Sequence, residues 1–216
     1  MSEKATTLDD VRDAIVFAAL PHVPFDGWTW KTLRAAAVAT DFDASMAERA
    51  FASPIAAVAH FADLADRQLL ADAEEATLDT LGMTARIAWL VRRRIEPWAG
   101  ERETVRRALS LLCLPGNAGT AIRVNWRTAD VLWRAAGDQT VDFNYYTKRA
   151  TLSAIFAATL LFWLDDESED NEATWDFLSR ELAALKWLPK AKAAILRRTE
   201  AWRNPLAGLR TSASSR

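Results

Sequence analysis

The 216-residue chain suits one medium domain, or a small helical unit fused to a larger one. Half of it is hydrophobic and 26% is charged, which excludes a disordered chain and allows a packed core. The charge is uneven: residues 1–80 hold six Lys/Arg against fourteen Asp/Glu, a net −8, while 186–216 hold eight against one, a net +7, so an anionic partner is expected at the tail.

The first ten residues have neither an apolar signal core nor the Arg-rich, acid-poor look of a transit peptide, so a cytoplasmic, bacterial product is expected. Leu8, Val11, Ile15, Ala18 and Ala19 recur at helical spacing, with Asp9, Asp10 and Asp13 near the start of that helix. Pro21 and Pro24 are expected to end it. Asp26-Gly27 reads as a turn, and Thr29 can cap a second helix running to Ala39. Asp41 to Asp43 break that helix, and a short third one is expected over 44–51. Three short helices of this kind resemble the helix-turn-helix unit of TetR-type regulators. The recognition segment, however, offers Arg49 among Asp41, Asp43 and Glu48, inside the net −8 stretch. Phosphate would be repelled there, so no nucleic-acid partner is expected. A ligand-sensing transcription regulator is the alternative reading.

From Pro54 onward the predicted helices lengthen, to about 54–78, 83–97, 101–113, 118–136, 143–165, 171–186 and 188–203. Breaks fall at Gly82, Gly100, Pro115-Gly116-Asn117, Gly137-Asp138 and the acidic run 165–171. No strand-like alternation survives, so the fold class is all-α with about ten helices. Ten Trp and nine Phe in an Ala-rich chain suggest wide helix crossings or a cavity lined by rings. The apolar run 150–164 is short for a membrane span and reads as a buried core helix. With the stripe Trp175, Leu178, Leu182 and Leu185 it also exceeds what one subdomain need bury, and a homodimer through these late helices is expected.

The catalytic inventory is thin. His22 and His60 lack the spacing of a zinc or di-iron site, and no nucleophile elbow, P-loop or dinucleotide fingerprint is present. An enzyme is therefore not expected, and neither metal nor cofactor is. His60 is expected to be structural, Cys113 a buried packing thiol, and the acidic run 165–170 a solvated, mobile loop.

The most informative segment is 129–149. Gly137-Asp138 can close one helix and Asp142 or Asn144 cap the next. Phe143, Tyr145, Tyr146 and Arg149 then crowd its first turns, too many to face a core together, and an exposed aromatic patch is expected. The run Gly137-Asp-Gln-Thr-Val-Asp-Phe-Asn-Tyr-Tyr-Thr147, with Leu111-Leu-Cys-Leu-Pro115 before it and Thr174-Trp-Asp-Phe-Leu178 after, closely resembles the lipid-binding accessory family of ubiquinone biosynthesis, ninth of the Coq series. Gly27-Trp-Thr29 also fits, and the resemblance spans about residues 8–205.

That resemblance implies a TetR-like fold, a homodimer, and a hydrophobic pocket for an isoprenoid quinone intermediate or a phospholipid. It also implies support of the di-iron demethoxyubiquinone hydroxylase through a surface patch. The matching positions are Asp130, Leu132, Asp142, Tyr145, Tyr146 and Arg149; Tyr145 stands where eukaryotic members carry Trp, and Leu132 where they carry Met. Apolarity nominates Trp89, Leu112, Trp133, Phe156, Leu160 and Trp163 as the pocket lining. On the last predicted helix Leu188, Ile195 and Trp202 share a stripe flanked by Lys190, Lys192, Arg197 and Arg203. That pattern suits a helix lying on an anionic bilayer, which places the protein peripherally on the inner face of the cytoplasmic membrane. The expected organisation is 1–53 a degenerate helix-turn-helix-like subdomain, 54–186 a helical lipid-binding and dimerisation subdomain, and 187–216 a basic amphipathic helix with a flexible tail.

Overall fold

A computed structural model describes residues 7–138 and 143–185. Among the described residues the regular structure is wholly helical, as expected. The helices are α1 (Leu8–Ala19), α2 (Val23–Asp26), α3 (Trp30–Ala39), α4 (Met46–Ala50), α5 (Pro54–Glu75), α6 (Met83–Ile95), α7 (Arg102–Leu112), α8 (Ala118–Ala135), α9 (Phe143–Leu164) and α10 (Glu172–Leu185). From α5 to α10 the observed ends lie within three residues of the expected ones. The expected helix over 188–203, and with it Leu188, Lys190, Lys192, Ile195, Arg197, Trp202 and Arg203, lies outside the described residues.

Local chemistry explains the boundaries. Thr7 and Asp10 form a capping box at α1, with the Asp10 N–H donating to Thr7 Oγ1 at 3.1 Å and the Thr7 N–H to Asp10 Oδ2 at 2.8 Å. Thr29 caps α3 by accepting from the Thr32 N–H at 3.2 Å. Asp41 stops that helix in a left-handed conformation, φ 63°. Gly137 ends α8 at φ 89°, where a Cβ would also meet Arg86 Nη1 at 3.3 Å. The short α2 was not expected. Pro24 sits in its first turn, where the missing N–H costs nothing, so it starts a helical turn rather than ending one.

The N-terminal unit shares its core with the larger helices. Arg12 of α1 donates to the Ala50 carbonyl at 2.8 Å, fixing the end of α4. Trp28 is buried; its Nε1–H donates to the Thr104 carbonyl at 3.3 Å, and its ring lies 5.5 Å from Phe61, which in turn meets Trp98 edge-on at 4.7 Å. An aromatic column thus runs from the front of the chain into its centre. His60, as expected, is structural: its Nε2 lies 2.5 Å from Asp13 Oδ1, and Arg67 donates to both oxygens of the same carboxylate. Burial alone would raise the Asp13 carboxyl, but hydrogen bonds from Arg67 and His60 hold it below its ordinary value.

α8 and α9 pack as a pair, with α5 and α6 beneath them and α10 across α9 and α6. On α9, Leu152, Ile155, Phe156, Thr159, Trp163 and Leu164 are buried, and Leu161 and Phe162 are exposed. On α10 the expected dimer stripe is used within the chain: Leu178 and Leu182 are buried and Trp175 packs on the same core. No described helix is long and apolar enough to cross a membrane.

The run 165–170 corrects a second expectation. It is not simply solvated, because Asp166 is buried and caps α10, accepting from the Thr174 N–H at 2.9 Å and the Ser168 N–H at 2.8 Å. Partial desolvation opposes these bonds, but they win and hold its carboxyl at about 2. The folded value lies below the ~3.9 of an unfolded aspartate, so this stabilisation is present above about pH 4 and is lost as pH falls toward 2. Asp166→Ala is expected to cost about 1 kcal/mol at neutral pH. In urea melts the gap between mutant and parent should close between pH 4 and 2.

Candidate functional site

Five helices leave a gap between them. An apolar cavity of about 320 Å³ opens among α5, α6, α7, α8 and α9. Each helix contributes a stripe at helical spacing: Val58, Phe61 and Ala62; Arg94, Ile95 and, just beyond α6, Trp98; Val105, Ala108, Leu109 and Leu112; Ala121, Ile122, Asn125 and Thr128; Phe156, Ala157, Leu160, Leu161 and Trp163. Ala108, Ala121 and Ala157 leave the space that larger residues would close. The cavity is at the small end of ligand sites, with volume equivalent to about ten waters, enough for a ring and a short run of alkyl chain.

Its mouth is apolar. Ile122 and Leu161 line it while 68% and 56% exposed, and the exposed Cys113 is a lining residue as well. The thiol is thus not the buried packing group expected. α7 ends at Leu112, and Cys113 is the cap residue where the chain turns outward toward Pro115.

One wall carries a buried charge cluster. Asp66 accepts from Arg94 Nε at 2.6 Å, from the Thr128 hydroxyl at 3.0 Å, and from Arg127 Nε at 3.4 Å. Arg94 also donates to the Ala62 carbonyl at 3.0 Å, with its guanidinium 5.8 Å from the Phe156 ring centre. Every heteroatom named here is held by the chain itself, so the cluster shapes the wall; it is not an acid–base pair poised on the cavity.

Of the six residues nominated as lining, Leu112, Phe156, Leu160 and Trp163 are in place. Trp89 and Trp133 are not. Trp89 lies in a shallow charged groove with Asp72, Arg92, Arg93 and Glu96. Trp133 is more than a turn beyond the last cavity residue of α8, in the seam with α9, where its Nε1–H donates to the Lys148 carbonyl at 3.0 Å. Apolarity alone cannot separate a cavity face from a packing face. Phe61, Arg94 and Trp98 were missed, although Arg94 and Trp98 stand four apart in a stripe the sequence displays.

The patch residues divide into two layers. Arg149 is buried, with its Nε 2.5 Å from Asp130 Oδ1, and the Tyr145 hydroxyl donates to the same oxygen at 3.1 Å. The Arg149 guanidinium lies 3.4 Å from the Tyr145 ring centre. Burial raises the Asp130 carboxyl less than the bonds from Arg149 and Tyr145 lower it, so it stays ionised. Leu132 is fully buried. These residues tie α8 to α9; Arg149 and Leu132 are buried, while Asp130 and Tyr145 are half-buried. Residues four apart share a helix face, so Tyr145 and Arg149 turn inward together, and Tyr146 is turned out. Tyr146 is 64% exposed, 5.1 Å from Tyr145 and 6.3 Å from Trp126 between ring centres. Trp126, on α8, is a patch residue that the sequence reading missed. Asp142 lies outside the described residues.

The layering splits two mutations that look equivalent in sequence. Tyr146→Ala should change unfolding free energy by less than about 0.5 kcal/mol, as exposed substitutions do. Tyr145→Ala removes a partner of Asp130 and the ring under Arg149, and should cost about 2 kcal/mol. Urea denaturation of both single mutants checks this; equal effects would mean that the inner layer is not formed.

Residues 118–188 match the family model described as COQ9, a span that includes the cavity faces of α8 and α9 and the whole patch. The human "Ubiquinone biosynthesis protein COQ9, mitochondrial" is 31% identical over 181 residues, 81% of this chain and 57% of that protein. The Drosophila melanogaster protein of the same name is 29% identical over 83% of this chain and 56% of its own. The Schizosaccharomyces pombe one is 26% identical over 82% and 71%. The chain spans just over half the length of the human and fly relatives. A crystal structure titled as a TetR transcriptional regulator from Nitrosomonas europaea matches with a TM-score of 0.66 at 24% identity, over 82% of this chain and 98% of its own. The fold is therefore TetR-like.

Proposed function

Because the chain belongs to the COQ9 family, we propose that it is a non-enzymatic accessory protein of ubiquinone biosynthesis that binds an isoprenoid quinone intermediate and presents it to the demethoxyubiquinone hydroxylase. The observation that carries this reading is the apolar cavity with an apolar mouth. Burying an alkyl chain gains about 25 cal/mol per Å² of apolar surface, so such a cavity can compete with the bilayer for part of the tail. The relatives bear ubiquinone biosynthesis in their names, which supplies the lipid class. The basic segment 187–216 would meet an anionic membrane surface, and the outer layer of the patch, Tyr146 with Trp126, would meet the hydroxylase. Two copies would associate along the outer faces of α9 and α10, where Ala154 and Phe162 stay exposed.

DNA binding is the weaker reading. The five-residue α4 presents Glu48, whose carboxylate is bonded by Arg34 Nε at 2.6 Å, so the nearest basic group is already matched. Hydrogen bonds from Ser45 and Arg34 respectively hold Asp43 and Glu48 below their ordinary values, so both stay charged toward any phosphate.

The single cysteine provides the test. Cys113 is exposed at the cavity mouth, so alkylation by a small maleimide should be fast in lipid-free protein. It should slow severalfold when the protein is saturated with a short-chain quinone, and native mass spectrometry of the same sample should show the added mass. Unchanged alkylation with no added mass would overturn the lipid-binding reading.

A further inference from the structure

The cavity wall holds one side-chain donor that the fold does not satisfy. Trp163 lines the cavity and is fully buried, and among the described residues none accepts a hydrogen bond from its Nε1–H. The other buried tryptophans with a bonded indole show what is missing: Trp28 donates to the Thr104 carbonyl and Trp133 to the Lys148 carbonyl. A buried indole N–H without a partner is costly, and native chains rarely keep one without a use.

The ring itself is held in place. Arg102 lies over it with its guanidinium 4.7 Å from the ring centre, and Arg102 is in turn fixed by the Asp166 carbonyl at 2.5 Å and by Asn171 Oδ1. A cation on the ring face withdraws electron density from the indole, which makes its N–H a better donor. The positive field also favours an acceptor that carries partial negative charge. The cation in the cavity lining itself, Arg94, is matched by Asp66, so a buried carboxylate on the ligand would find no free counter-charge there.

We infer that Trp163 is the specificity-determining residue of the cavity, and that its Nε1–H selects ligands with a neutral acceptor oxygen, a ring carbonyl or ether, at the head of an alkyl chain. A quinone or a methoxy-substituted ring meets this requirement; a plain hydrocarbon leaves the donor unsatisfied. The inference rests on the lipid-binding reading and specifies the polar end of the ligand.

The test uses the full chain and two probes with the same tail: decyl-1,4-benzoquinone, which carries acceptors, and n-decylbenzene, which has none. In ¹H–¹⁵N spectra the Trp163 indole cross-peak is the one missing from Trp163→Phe. It should shift downfield on saturation with the quinone and stay near its apo position with decylbenzene. Trp163→Phe should weaken the quinone about five- to tenfold more than it weakens decylbenzene, the span of one net hydrogen bond. Replacing the Trp163 indole with benzothiophene by incorporating benzothienylalanine keeps the ring volume, and it should behave like the phenylalanine variant. If both probes bind but the cross-peak stays still, or both lose affinity equally in both variants, the inference is overturned and the lipid-binding reading stands. If neither probe binds the parent protein, both fall.

Discussion

Asp66→Ala is expected to destabilise the protein by about 3–5 kcal/mol, a large fraction of the roughly 5–15 kcal/mol that holds a typical domain folded. Asp66 is the common acceptor for Arg94, Thr128 and Arg127, and it joins α5 to α6 and α8 at the cavity wall. Its removal leaves the Arg94 guanidinium buried, with the Ala62 carbonyl and the Phe156 ring as its remaining partners among the described residues. The cost is the uncompensated charge rather than the loss of the pair, so removing both charges should recover much of it. Asp66→Leu combined with Arg94→Met should therefore be far more stable than Asp66→Ala alone. Urea melts of the three proteins decide this. A double mutant as unstable as the single one would mean that the cluster contributes through packing rather than charge.

How much of this was legible in the sequence follows from what each signal encodes. Helix existence and order were readable because Thr29 and Gly137 punctuate apolar repeats at helical spacing, and those local devices act in the structure as their chemistry suggests. The short α2 was not, because proline has opposite meanings in the first turn and in the interior of a helix. The cavity was partly readable. Leu112, Phe156, Leu160 and Trp163 lie on apolar stripes, but a stripe facing a cavity and a stripe facing another helix look alike. That ambiguity is why Trp133 was included and Phe61 and Trp98 were not. Arg94 was hidden for a different reason: its charge reads as surface until its pairing with Asp66, twenty-eight residues away, is known. At the patch, the resemblance located the segment, but only helix phase separates the exposed Tyr146 from the half-buried Tyr145 and the buried Arg149 and Leu132. Cys113 shows the limit of composition, since apolar neighbours in sequence do not bury a residue that ends a helix.

Ala157→Phe is expected to abolish most ligand binding while leaving the fold in place. Ala157 faces the cavity between Phe156 and Leu160, on a helix that α8 and α10 hold independently of the void. A phenyl ring there adds six carbons into existing space instead of displacing packed atoms, so the usual penalty for overpacking is small. The ligand loses room for about as many atoms, and at about 0.3 kcal/mol per atom that is roughly 2 kcal/mol, or about twenty- to thirtyfold in Kd. The free protein should melt at the same temperature or higher, because the new ring buries apolar surface and regains dispersion contacts that the void had forfeited. The opposite signs make the experiment informative. Lower stability together with lower binding would mean that the helices around α9 cannot accept the ring and that the space is smaller than described. Unchanged quinone binding with a raised melting temperature would place the ligand elsewhere on the molecule. The exposed Ile122 and Leu161 at the mouth would then be the first alternative seat, with the alkyl chain lying across the surface instead of entering it.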